Sequence, residues 1–256
     1  MIQQAAITLP HEILYSTFQP RPQEPHSAVT QLIQGIYEQY PDEAIRILRR
    51  PIWVNYVPSI LCRSMIAIAA KRYSVMTDWT RLSDDLSLPW RQVIYTTPPE
   101  SPRTPSAMDY GEALVWLQGL SSPKQVEPRY RQDRSVRAVL LNANNQVLLW
   151  AENENSRNKT KHAEVQLLQK HFAMTQEGLS EPTTLISSLQ CCKMCAGLYW
   201  SMHTYPWAHL RAAYIRPEIG PSARDTIFTP NGNFRREFYN DPGLLHKQVE
   251  FTIDSL

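Results

Sequence analysis

Two short motifs bring metal-binding side chains and a carboxylate into one chain: His162-Ala163-Glu164 and, further on, Cys192-Lys193-Met194-Cys195. A histidine and two cysteines leave the four-coordinate shell of a structural zinc incomplete. A zinc site with an open position can take up water and acidify it, the basis of metal-assisted hydrolysis. Glu164 is not needed as a ligand and is the candidate to carry the proton.

The spacing dictates what must hold these residues. Cys192 and Cys195 sit three apart, so on the first turn of a helix their sulfurs face the same way. The unpaired N–H groups and dipole of a helix start also favour thiolate over thiol. Two residues apart inside a helix, His162 and Glu164 would diverge by about 200°. They cooperate if His162 stands at the helix entrance, as the polar loop Glu154–Lys161 before it predicts.

The elements required are legible around the motifs. Ser135–Asn142 and Val147–Asn153 read as strands joined by the turn residues Ala143–Gln146. A helix is expected from His162 to Phe172, a strand over Thr184–Leu189 and a helix over Cys192–Thr204. Strands are expected at Leu210–Arg216 and Gln248–Ile253. An amphipathic helix, Asp109–Leu120, comes before them all. The order α-β-β-α-β-α-β-(x)-β predicts a layered α/β domain over residues 106–256 with a five-stranded mixed sheet. The stretch Pro217–Lys247 is long enough for a crossover and permits a last strand parallel to its predecessor.

Residues 1–105 read differently. Apolar residues recur at helical spacing over Ala28–Tyr40, Asp42–Arg49 and Val57–Tyr73, predicting a small, mainly helical domain. Thr96–Ser106, TTPPESPRTPS, has the composition of a linker. The apolar run Ile60–Ala70 is short and broken by Arg63, so it reads as a core helix and not a membrane span. The N-terminal residues show no basic and apolar regions of a secretory signal.

Three of the four cysteines, Cys191, Cys192 and Cys195, lie within five residues, a layout for metal and not for a disulfide framework. Thiolate ligands fit a reducing compartment, so the expected location is cytoplasmic. The formal net charge of +2 says little by itself; the mild basic bias of residues 129–256, 15 Lys+Arg against 12 Asp+Glu, permits a nucleic-acid substrate but falls well short of a strongly basic surface. Arg129, Arg131, Arg134 and Arg137 precede or begin the first strand of this domain, but Glu127 and Asp133 dilute them toward a solvated face. Trp150, Tyr199, Trp200, Tyr205 and Trp207 cluster around the motifs; they either stack a base or pack the core, and core is the commoner use.

Each motif has an ordinary alternative. A Cys-x-x-Cys alone can be a redox pair or half a zinc ribbon, and His-x-Glu alone arises by chance. Together, each following a strand and opening a helix, they favour a catalytic zinc. The competing arrangement makes Cys191 a fourth ligand, closing the shell as Cys₃His; adjacent cysteines rarely aim at one ion.

His-x-Glu followed by Cys-x-x-Cys is the pattern of zinc-dependent base deaminases. From about Asp109 to the C-terminus the chain resembles the cytidine/deoxycytidylate deaminase superfamily, and within it bacterial predicted deaminases with an N-terminal helical domain. The resemblance implies a three-layer α/β/α fold and one Zn²⁺ per chain held by His162, Cys192 and Cys195. It also implies Glu164 as proton shuttle and an Asn at the end of the second strand that contacts substrate, Asn153 or else Asn155. Gln190 and Cys191 stand where the family usually has Glu-Pro.

The expected activity is hydrolytic deamination of a nucleobase, cytosine ahead of adenine, in a nucleotide or single-stranded nucleic acid. A free nucleoside or nucleotide is the alternative substrate, and a non-catalytic zinc module that binds a partner is a third reading. In this family a parallel last strand goes with nucleic-acid and deoxynucleotide substrates, and an antiparallel one with free cytidine. Homo-oligomers are frequent in it.

Overall fold

The computed structural model describes residues 1–70, 75–76, 78, 82, 87–96, 108–118, 135–155, 158–179, 182–203, 210–216, 221–223, 226, 234–241 and 245–253. The proposed linker beyond Thr96 and Arg129, Arg131, Arg134, Tyr205 and Trp207 lie outside them.

Residues 108–253 build a six-stranded sheet. Its strands are β6 (Arg137–Leu141), β7 (Val147–Glu152), β8 (Thr184–Leu189), β9 (Leu210–Arg216), β10 (Phe234–Asp241) and β11 (Leu245–Ile253). Their order is β10-β11-β9-β8-β6-β7, with β8 and β9 parallel and β6 antiparallel to both β7 and β8. The β6–β7 turn is made by Asn142, whose Oδ1 accepts from Asn144 and Gln146 N–H, with Asn145 in the left-handed region at φ 59°.

Helix α4 (Tyr110–Gln118) covers one face, packing Ala113, Leu114 and Leu117 on Val139, Leu141, Ile186, Ala213 and Ile215. Helices α5 (Ala163–Thr175) and α6 (Lys193–Ser201) cover the other, over Ala138, Leu140, Leu185 and Ala212. Successive residues of β6 and β8 therefore face opposite buried layers, which is why these strands read as continuous apolar runs.

Two expectations about this sheet are corrected. It has six strands and not five, because Phe234–Asp241 forms β10; the charged run Arg235-Arg236-Glu237 hides its strand pattern in the sequence. The last strand is not parallel to its predecessor: β11 pairs antiparallel with β9, from Lys247↔Tyr214 to Phe251↔Leu210. The long connection carries the chain to the sheet edge, where β10 forms and returns through an antiparallel pairing with β11. Its length went into an extra strand instead of a crossover.

The N-terminal region also departs from a mainly helical reading. Helices occur where expected: α1 (Ala28–Gln39), α2 (Ala44–Ile47) and α3 (Ile60–Met65), the last continuing as a π-helical turn, Ile66–Ala70. Beside them lies a five-stranded sheet of order β4-β3-β1-β2-β5, made by β1 (Gln3–Thr8), β2 (Ile13–Phe18), β3 (Ile52–Val54), β4 (Val75–Met76) and β5 (Trp90–Gln92). Three of these strands have only two or three residues, too few to show a period. In β1 the consecutive residues Ala5, Ala6 and Ile7 are all buried, so no alternation marks it.

Helices α1 and α3 lie between this sheet and the α5–α6 layer, and one apolar core runs through all of them. Leu32, Ile33 and Ile36 of α1 share it with Leu167 and Leu168 of α5; Leu61 and Met65 of α3 share it with Met194 and Leu198 of α6. Among the described residues no helix is long and apolar enough to cross a membrane.

Candidate metal centre

His162 is the residue from which α5 starts. Its backbone is extended, φ −69° and ψ 151°, as the divergence of His162 and Glu164 inside a helix required. Cys192 occupies the same position ahead of α6, φ −76° and ψ 171°, and Cys195 lies one turn in. Neither His162 nor Cys192 caps its helix with its side chain. Residues at this position normally bond the first-turn N–H groups; here both side chains turn toward a common point instead.

The donor atoms form a near-equilateral triangle. His162 Nδ1 lies 3.6 Å from Cys192 Sγ and 3.5 Å from Cys195 Sγ, and the two sulfurs are 3.5 Å apart. Tetrahedral zinc, with Zn–S about 2.3 Å and Zn–N about 2.0–2.1 Å, separates its ligand atoms by roughly 3.5–3.8 Å. The triangle fits that ion. Among the described residues these three form the group whose ligand atoms all lie within 4.8 Å of one another, and Cys191 falls outside it. All four cysteines are free.

Glu164 is the second residue of α5 and is 3% exposed. Ser187 of β8 donates its hydroxyl to Glu164 Oε1 at 3.1 Å. Among the described residues Glu164 Oε2 is buried without a hydrogen-bond partner, an arrangement that costs stability unless something arrives to use it. Sequence reasoning missed Ser187. Its only signal is a polar residue within the otherwise buried strand TLISSL.

The three donor side chains and Glu164 shift one another's protonation strongly. A hydrogen bond from Cys195 and the charge of His162 overcome burial and hold the Cys192 thiol well below its ordinary range. Burial opposes a charged His162, yet Cys192 and Glu164 outweigh it and raise the imidazole to about 9. Burial raises the Glu164 carboxyl, with His162 partly opposing it. Cys191 stays a thiol, pushed well up by burial and the adjacent Glu164.

Asn153 ends the strand side of the centre, just past β7. Its Oδ1 accepts from Val136 N–H at 2.7 Å and its Nδ2 donates to Asn155 Oδ1 at 2.7 Å, so the two asparagines weighed as substrate contacts bond each other. The aromatics divide toward packing. Tyr199 is buried with its hydroxyl donating to Thr183 and Arg211 carbonyls, and Trp150 meets Trp116 edge-on at 5.2 Å. Arg137 pairs with Glu152 at 2.8 Å and lies over the Trp116 ring.

Residues 127–237 match a family model described as Bd3614-like deaminase, a segment that contains every residue of the triangle together with Glu164 and Ser187. No curated protein matches the chain.

Proposed function

Starting from a chain whose residues 127–237 place it in the cytidine/deoxycytidylate deaminase-like superfamily, we propose a zinc-dependent hydrolytic deaminase of an amino-bearing nucleobase, cytosine ahead of adenine. The observation that carries this reading is the unpartnered Glu164 Oε2 beside a His162/Cys192/Cys195 triangle of zinc dimensions. A closed Cys₃His site would leave the carboxylate no task, and Cys191 is not in the ligand group.

His162 Nδ1 and the Sγ atoms of Cys192 and Cys195 would hold one zinc per chain. Zinc held there would supply a Lewis acid that acidifies water. The remaining work falls to the protein. Water adds at the ring carbon that bears the amino group, and ammonia leaves. Glu164 takes one proton from that water and passes it to the ring nitrogen, then takes the second from the added hydroxyl as the carbonyl forms and gives it to the departing amine. Burial raises this carboxyl, in the direction that makes it a better proton acceptor. Ser187 fixes Oε1 so that Oε2 is the oxygen that exchanges the proton.

The antiparallel β9–β11 pair supports a free nucleoside or nucleotide over a polymer. In the relatives the sequence resembles, that arrangement accompanies free cytidine deamination. We place Asn153 at the rim of the substrate pocket, from which the Asn155 bond must open for it to reach a ligand. The test is ammonia release by the zinc-loaded protein from cytidine, deoxycytidine, their monophosphates, adenosine and single-stranded oligonucleotides. Turnover of cytidine or its monophosphate is expected. Turnover of oligonucleotides alone would return the substrate to nucleic acid, and none on any substrate, with zinc bound, would leave a non-catalytic zinc module.

A further inference from the structure

The two ligand helices belong to separate strand–helix units, each tied to the sheet by polar contacts: Gln166 Nε2 of α5 donates to the Glu152 carbonyl and the Tyr199 hydroxyl of α6 to the Thr183 and Arg211 carbonyls. A triangle with edges of 3.5–3.6 Å tolerates little slippage. The N-terminal region adds a second set of contacts, polar ones to α5 and its entrance and a close backbone approach to α6.

On α1, Gln34 and Glu38 are four residues apart and face the same way. Gln34 forms a reciprocal amide pair with Gln169 of α5, Nε2 to Oε1 at 3.2 Å one way and 3.1 Å the other. Both residues are buried, so a shift of either helix would strand amide groups away from water. One turn on, Glu38 Oε1 accepts from Asn158 Nδ2 at 3.1 Å and pairs with Lys161 Nζ at 3.0 Å. These two residues bracket the turn that delivers His162: Asn158 Oδ1 accepts from Thr160 N–H, Lys161 N–H bonds Asn158 O, and His162 N–H bonds Thr160 O.

The cysteine helix is held from α3. A Cβ on Gly197 of α6 would come within 2.9 Å of Ser64 Cβ and 3.3 Å of the Ile60 carbonyl. Glycine there lets the two helix backbones touch, in the turn that follows Cys195.

We propose that α1 and α3 form a positioning clamp for the metal centre, α1 seating the His162 entrance and α3 the Cys192–Cys195 turn. The proposal rests on the metal-site reading above and assigns a role to the region outside the deaminase match. Gln34, Glu38 and Gly197 are positioning residues; none touches substrate or metal.

The test is metal affinity by chelator competition on the full chain, with the Co²⁺-substituted absorption spectrum as a second readout and the metal-free melting temperature as a control. Glu38 is 43% exposed at its side chain, so Glu38→Ala leaves the fold in place. It should weaken Zn²⁺ binding about tenfold, the low end for residues that orient ligands indirectly. Glu38→Gln keeps an acceptor for Asn158 and should recover most of that loss. The double variant Gln34→Leu/Gln169→Leu removes the amide pair without leaving either partner stranded. It should shift the cobalt thiolate bands and weaken binding while the fold persists. Wild-type affinity and spectrum in both Glu38→Ala and the double variant would overturn the clamp. Cys195→Ala separates the two ideas: loss of metal there with no effect in the clamp variants sinks the clamp alone, whereas retained metal sinks the metal reading on which it rests.

Discussion

Two helices that pack against each other, α3 and α6, open with the same spacing and end up with opposite chemistry. In α3, Ser59 precedes the helix and Cys62 lies three residues on; in α6 the same two positions are Cys192 and Cys195. Ser59 caps its helix by accepting from Cys62 N–H, and Cys62 Sγ donates to Ser27 Oγ at 3.2 Å and lies 3.3 Å from Ser59 Oγ. Ser27 in turn closes a capping box with Thr30 at the start of α1. The hydroxyls of Ser27 and Ser59 and the Cys62 thiol are used locally, and Cys62 is packing. At α6, among the described residues, the two sulfurs meet each other and the His162 imidazole, which arrives from a different strand–helix unit, and Cys192 does not cap the helix. A cysteine one turn into a helix is placed to be a ligand only when its local partners leave it free and a distant one meets it.

The largest expected effect tests that contrast directly. Cys195→Ala should drop zinc content from about one per chain to near none, while Cys62→Ala should leave it unchanged; elemental analysis of both proteins decides. Equal loss in the two would mean that Cys62 serves the site and would erase the distinction. Next comes the proton carrier. Glu164→Gln should lower kcat by about 10²–10⁴ with metal retained, since a general acid–base group contributes on that scale. Ser187→Ala, which only frees the far oxygen, should cost about tenfold in kcat with KM little changed. Steady-state kinetics beside metal analysis would expose the error if Glu164→Gln lost its zinc instead.

Each region also carries one histidine whose imidazole burial lowers to about 4, His26 before α1 and His203 after α6. Their unfolded value is 6.5. Below it the unfolded chain takes up protons that the folded one refuses, so stability is full above that pH and falls as pH drops toward 4. Each contributes at most about 3 kcal/mol to that fall. Denaturant midpoints of metal-free protein between pH 7 and 4.5 should show it, with His26→Asn and His203→Asn each removing about half the slope. A slope carried by one histidine alone would break the symmetry between the regions. The smallest effect sharpens the opening contrast: Ser59→Ala should cost about 1 kcal/mol of stability as a lost cap, with unchanged zinc content. A fall in zinc would tie the α3 corner to the metal.

The grouping of His162, Cys192 and Cys195 was legible from the sequence to the extent that its parts are local. His162, Glu164, Cys192 and Cys195 declare their chemistry by type and spacing, and the demand that His162 stand outside its helix follows from helix geometry alone; its extended backbone agrees. The strands and helices around them, from β6 to β9, stand within a few residues of the pattern read from apolar period and turn residues. Ser187 was not legible, because a serine in a buried strand gives no sign of what faces it across the layer.

Only the tertiary structure decided three things. It set the partner of β11, because a long connection accommodates either a crossover or an outer strand and only pairing chooses. It revealed the N-terminal sheet, whose strands are short or buried on both faces and so carry no period. It also drew Gln34 and Glu38 against the metal half. A chain's local pattern records what each residue needs, burial or a hydrogen-bond partner, but not which distant residue supplies it; that choice is made by packing.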